Sequence, residues 1–241
     1  MITLASTLAK ARVLPVLTVP SLASGNALVE ALVAGGCEAV EITLRTEAAL
    51  AVIDATRRAF PDLTVAAGTV VSGDQLDAVV GAGAHFAVSP GLSEMLVRRA
   101  ESKGVPMLPG VATASEVMAG LELGLHCFKL FPAVQAGGLA LLRALAEPLA
   151  TARFCPTGGL DAANFTEYLS LGNVVCVGGS WMAPRTLVQA GAWEEITKLV
   201  RMTMERARAG DSLLNSAKPN QVNCPRVSTP RRRRSSRPRP S

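Results

Sequence analysis

The sequence predicts an α/β protein built as one (β/α)8 barrel, a TIM barrel, followed by a basic tail. Three observations predict it. Short β-rich runs alternate with amphipathic helical stretches, the pattern of a parallel sheet with crossover helices. Eight such pairs can be counted within residues 1–210, slightly short for a barrel of that kind. The alternative, an open doubly wound sheet, lacks its dinucleotide fingerprint, because Gly158-Gly159-Leu160 and Gly178-Gly179-Ser180 do not have the wider glycine spacing.

The runs expected as strands are 13–19, 39–44, 63–67, 85–89, 105–109, 126–131, 153–156 and 174–178. Helical segments are expected near 22–35, 46–60, 72–82, 92–103, 113–123, 138–149, 161–171 and 192–208. The first run, Val13 to Val19, follows Lys10 and Arg12 and so imitates a secretory signal. Pro15 breaks it, Pro20 stops it, and the chain passes straight into a helical pattern, so it reads as a strand. Ser72 before Gly73-Asp74-Gln75, Ser115 before Glu116, and Asp161 before Ala162-Ala163 stand where helix starts are capped. Residues 211–241 turn to Asn, Ser, Pro and Arg, a composition that buries no core and is expected to be disordered.

Charge divides the chain at the same place. The formal net charge is +5, yet residues 211–241 hold eight basic residues against the single acid Asp211. The remaining body carries 16 basic and 18 acidic residues, so basicity belongs to the tail. Such a tail suits nonspecific binding to nucleic acid or anionic surfaces, or else is an appendage without selected function. Hydrophobic residues make up 49% of the chain, enough for a sizeable core, but no apolar run reaches the ~18 residues that span a bilayer. The five cysteines, Cys37, Cys127, Cys155, Cys176 and Cys224, show no ligand spacing, and three fall in expected strands. That usage fits a reducing cytoplasm with no metal and no cofactor.

Chemistry is concentrated where strands end, the face on which such barrels carry their sites. In Phe128-Lys129-Leu130-Phe131-Pro132-Ala133 a lysine sits in an apolar run that reads as a doubly covered strand. Low dielectric favours its neutral, nucleophilic amine, which can attack a ketone to form a Schiff base; the competing reading is an amine that snorkels into water. Glu41, in Val40-Glu41-Ile42-Thr43-Leu44-Arg45-Thr46, is either a proton-transfer acid facing that lysine or a structural partner of Arg45. Arg45 can grip a carboxylate bidentately or stand solvated at a helix start. Thr69 can donate its hydroxyl to the same carboxylate or cap the next helix. Pro90 and Phe131, at the ends of the fourth and sixth runs, are candidate pocket-lining residues. His85 and His126 lack a neighbouring acid or nucleophile and read as structural, and Trp181 and Trp193 as packing residues.

Gly158-Gly159 and Gly178-Gly179-Ser180 follow the last two runs. One such pair makes a tight turn. Two pairs on adjacent final strands point to backbone amides that hold a phosphate.

These motifs, with Ala67-Gly68-Thr69-Val70, Ser89-Pro90-Gly91 and Phe154-Cys155-Pro156-Thr157, resemble the 2-keto-3-deoxy-6-phosphogluconate aldolase family from about residue 6 to 209. The resemblance implies a class I aldolase on a (β/α)8 barrel, a homotrimer that cleaves its substrate to pyruvate and glyceraldehyde 3-phosphate in the Entner–Doudoroff pathway. It implies Lys129 as the Schiff-base lysine, Glu41 as the acid and base, and Arg45 and Thr69 at the pyruvate-end carboxylate. It implies Gly158, Gly159, Gly179 and Ser180 at the phosphate. Cleavage of 4-hydroxy-2-oxoglutarate to pyruvate and glyoxylate is implied as well, and the phosphogalactonate enzyme is the nearest alternative. A non-catalytic phosphate-sugar-binding barrel accounts for the glycines but not for Lys129 and Glu41. The stretch Ala133-Val134-Gln135-Ala136 departs from the family, which often carries a glutamate there.

Overall fold

The computed structural model describes residues 3–215. Its first element is a helix the sequence reading did not anticipate, α1 (Leu4–Ala11), capped by Thr3, which accepts from the Ser6 amide. Strands and helices then alternate: β1 (Val13–Leu17), α2 (Leu22–Ala34), β2 (Ala39–Thr43), α3 (Ala49–Ala59), β3 (Thr64–Gly68), α4 (Gly73–Gly81), β4 (Phe86–Val88) and α5 (Glu94–Ser102). The fifth run is split at Pro109, which has no amide for a ladder, into β5 (Met107–Leu108) and β6 (Gly110–Val111). There follow α6 (Ala114–Glu122), β7 (Cys127–Leu130), α7 (Gly138–Ala146), β8 (Arg153–Phe154), α8 (Phe165–Leu169), β9 (Val177–Gly179), α9 (Arg185–Ala190) and α10 (Trp193–Asn215).

Every ladder is parallel, in the orders β5-β4-β3-β2-β1-β9 and β6-β7-β8. Strands 1 to 5 follow one another without the reversal that defines a doubly wound sheet. Isolated bridges join Phe154 to Val174 and Thr157 to Gly178, next to β8 and β9. The sequence-predicted run 174–178 is thus mostly bridge and extended chain, with β9 starting only at Val177.

The strands sort their side chains by the two-residue period of extended backbone. Val13, Leu17, Val40, Ile42, Val65, Ala67, Phe128, Leu130 and Phe154 pack outward into the larger core with the helices. The alternate positions make a second core of Leu14, Ala39, Ala66, Phe86, Val88, Leu108, Cys127, Cys155 and Cys176. Leu8 and Ala11 of α1 join this second core, so the unanticipated helix closes its floor. One inward step further along the strands stand Glu41, Gly68, Lys129, Thr157 and Gly178. An apolar floor therefore gives way to a polar layer.

Helix starts are where the sequence reading needs correction. Ser72 caps α4 as expected, accepting from the Gln75 amide. Ser115 does not cap α6: Thr113 does, in a capping box with Glu116. The Glu116 carboxylate accepts from the Ala112 amide at 2.7 Å and the Thr113 amide at 2.9 Å, and those bonds hold its pKa below the usual range. Asp161 binds the Ala163 and Asn164 amides in a turn, and α8 begins only at Phe165. Helix α9 was unforeseen, and α10 runs to Asn215, past the boundary expected at residue 210. The Arg-rich end of the tail lies outside the described residues. Among the described residues, no helix is long and apolar enough to cross a membrane.

Candidate active site

Lys129 is presented by β7. Its flanking residues Phe128 and Leu130 are fully buried on the helix side, which leaves the lysine on the inner face. Its amide is tied to Pro109 O at 2.8 Å and its register partner is Gly110 of β6. The residue is 6% exposed, and its Nζ lies 5.3 Å from the centre of the Phe131 ring.

Glu41 reaches the same point from β2, where Val40 and Ile42 occupy the outer face. It is 1% exposed. Lys129 Nζ donates to Glu41 Oε1 at 3.1 Å and to Oε2 at 3.4 Å, a buried ion pair between residues 88 positions apart. Removing one member of such a pair costs about 3–5 kcal/mol, because it strands the other charge. Arg45 is therefore not the partner of Glu41. It sits exposed after the strand end.

A cavity of about 600 Å³ opens beside this pair. Lys129 and Glu41 are not in its lining; Phe131 and Thr157 are. Of the residues singled out in the sequence, Arg45, Phe131, Gly158, Gly159, Gly179 and Ser180 also line it. Thr69 and Pro90 do not. Thr69 turns the chain after β3 with φ 61°, an uncommon conformation for a β-branched residue. The Pro90 carbonyl packs so closely on Gly110 that a β-carbon there would overlap it.

The glycine turns expose donors. Gly158 and Gly159 take φ of 100° and 81°, which favours glycine at both. Among the described residues, the amides of Gly159, Leu160 and Ser180 donate to no acceptor. Unbonded amides on a cavity wall suit an anion.

Sequence reasoning missed several contributors. Thr157 is buried in the cavity wall, and its position two residues after Cys155 in a strand run could have shown that it faces inward. Thr43 and Thr46 donate their hydroxyls to Leu17 O and Val19 O, each at 2.7 Å, and so fasten the end of β2 to that of β1. Arg185, in an unforeseen helix, lines the cavity too. His85 is structural as expected, its Nδ1 accepting the Val65 amide at 2.9 Å. Trp181 packs on Phe165 with ring centres 5.4 Å apart.

Comparison with known proteins gives one consistent result. A family model described as KDPG and KHG aldolase matches residues 4–199. The KHG/KDPG aldolase of Escherichia coli strain K12 is 46% identical over 196 residues, 81% of this chain and 92% of that protein. The 2-dehydro-3-deoxy-phosphogluconate aldolase of Dickeya dadantii is 44% identical over 197 residues, 82% of this chain and 92% of the relative. Among solved structures, the KDPG aldolase of Legionella pneumophila, with pyruvate captured as a covalent carbinolamine, superposes with a TM-score of 0.80 at 41% identity. That match covers 83% of this chain and 97% of the other.

Proposed function

The chain belongs to the KDPG and KHG aldolase family, and from that premise we propose that it cleaves 2-keto-3-deoxy-6-phosphogluconate to pyruvate and glyceraldehyde 3-phosphate through a Schiff base on Lys129. The observation that carries the residue assignment is the buried contact of Lys129 Nζ with Glu41 Oε1 at 3.1 Å. A lysine and a carboxylate brought together from distant strands in an apolar interior are suited to nucleophilic attack with proton exchange. The carbinolamine in the Legionella relative is the intermediate this chemistry requires first.

The reaction follows from the pair. The ammonium proton passes to Glu41, and the freed amine adds to the ketone carbon, C2. Protonated Glu41 returns its proton to the departing hydroxyl, which leaves as water, and an iminium remains. Glu41, again a carboxylate, removes the C4 hydroxyl proton as the C3–C4 bond breaks. The electron pair of that bond enters the iminium and gives an enamine, and the aldehyde departs. Protonation at C3 and addition of water release pyruvate and restore the lysine. Arg45 and Thr69 hold the pyruvate-end carboxylate in this reading. Gly158, Gly159, Gly179 and Ser180 hold the phosphate, and Phe131 bounds the pocket. The same steps on 4-hydroxy-2-oxoglutarate give pyruvate and glyoxylate.

We read the two ladders as one closed (β/α)8 barrel over residues 1–210. The bridges beside β8 and β9 support it, as does an inner core that draws a residue from each of the eight runs. The family resemblance further implies a cytoplasmic homotrimer, which sedimentation can test.

The deciding experiment is borohydride reduction in the presence of pyruvate, followed by peptide mass mapping. The adduct is expected on Lys129, with loss of activity. An adduct on another lysine, or activity that survives Lys129→Ala, would overturn the assignment.

A further inference from the structure

The charged residues that line the cavity are Arg45 and Arg185, and no aspartate or glutamate lines it. Among the described residues neither guanidinium forms an ion pair. The two come from different elements. Arg45 follows β2, the strand of Glu41, and belongs with the reacting end. Arg185 follows β9, the strand whose end carries Gly179 and Ser180.

Its backbone is held in place on both sides. Ser180 O accepts from the Ala183 amide at 3.0 Å, and Pro184 O accepts from the Val188 amide at 3.1 Å. The side chain is exposed and hydrogen-bonded to nothing among the described residues. A fixed root and a free cationic head on a cavity wall make a group available to a ligand. The nearby amides of Gly159, Leu160 and Ser180 offer dipoles but no formal charge, whereas a guanidinium adds charge and a bidentate fork matched to phosphate oxygens.

We propose that Arg185 is a specificity-determining residue: its guanidinium contacts the terminal phosphate of the substrate beside the Gly159 and Ser180 amides, and so sets the preference for phosphorylated over unphosphorylated 4-hydroxy-2-oxo acids. The proposal rests on the aldolase reading of the cavity. It assigns the phosphate end a side-chain cation in addition to the backbone donors of the glycine turns. Among the described residues the exposed Arg185 side chain makes no hydrogen bond or ion pair, so its replacement is expected to leave the protein folded. Its effect is confined to substrates that carry the anion.

The test uses the full chain and the variants Arg185→Gln and Arg185→Lys. Cleavage of 2-keto-3-deoxy-6-phosphogluconate is compared with that of 2-keto-3-deoxygluconate, which is the same carbon chain without phosphate. Arg185→Gln is expected to raise KM for the phosphorylated acid by about 10–100-fold, the worth of a charge-assisted hydrogen bond. Its kcat, and both constants for the unphosphorylated acid, should stay within about twofold of the unmutated chain. Arg185→Lys keeps the charge without the fork and should fall between. Added salt should raise the KM of the unmutated chain for the phosphorylated acid more than that of Arg185→Gln. An unchanged KM in Arg185→Gln, or equal losses on both substrates, overturns the proposal. An unmutated chain that cleaves neither acid overturns the aldolase reading instead, and that control separates the two failures.

Discussion

The carboxylate of Glu41 occupies the space in which a β-carbon of residue 68 would stand. A β-carbon built on Gly68 overlaps Glu41 Oε1 and falls 2.7 Å from Cγ and 2.8 Å from Cδ, closer than real contacts allow. Glycine at 68 is therefore what lets the carboxylate lie against β3 and face Lys129. Gly68→Ala should push Glu41 away from the amine and lower kcat by at least tenfold, with little change in KM. The check is a double-mutant cycle with Glu41→Gln. If residue 68 acts through Glu41, the double variant is no slower than Glu41→Gln alone; additive losses would mean general damage to the strand.

Glu41→Gln separates the two roles in the buried pair. Glutamine keeps the size of the side chain but accepts no proton. Borohydride trapping of pyruvate should persist, though slowed, while carbon–carbon cleavage falls by about 10²–10⁴-fold, the usual worth of a positioned general base. Exchange of pyruvate methyl protons with deuterated solvent should fall with it. Trapping retained with exchange untouched would return Glu41 to a structural role.

The cap of α6 offers a stability comparison between two hydroxyls two residues apart. Thr113→Ala removes the side chain that accepts the Glu116 amide and should cost about 1 kcal/mol in urea unfolding. Ser115→Ala, inside the helix and exposed, should be near neutral or slightly stabilising. The reverse order would show that the cap lies where the sequence pattern alone suggested.

For the tail, the end of α10 at Asn215 moves the cut. Deleting residues 216–241 should leave cleavage kinetics and Tm nearly unchanged and abolish most salt-sensitive retention on heparin. A large drop in Tm would place part of the tail in the folded domain.

Lys129 and Glu41 were legible in the sequence because a charge inside an apolar strand run is rare and costly, so its presence alone is a signal. Their inward direction was legible too, since Phe128, Leu130, Val40 and Ile42 flank them at the two-residue period. Gly68 was not. Its requirement comes from a side chain on the neighbouring strand, and nothing in the local pattern of Thr64 to Gly68 records it. Arg185 was equally silent, an exposed arginine in a six-residue helix too short to show periodicity. Helix α1 left no clear periodic signal, because its buried face comprises only Leu8 and Ala11.

The floor beneath the lysine carries a consequence of its own. Cys127, Cys155 and Cys176 lie there together, and Cys127 is one inward step below Lys129 on the same strand. Burial, reinforced by Cys155, pushes the Cys127 thiol up to about 12, and burial raises Cys176 as well. Sulfur held as thiol is a poor nucleophile. In the proposed reaction an electrophilic aldehyde is set free on the side of the strands above these soft atoms, which could capture it. Packing Cys127 and Cys176 under a helix as protonated filler keeps the inner face of the sheet chemically monogamous: carbonyl carbon meets nitrogen there, and does not meet those sulfurs.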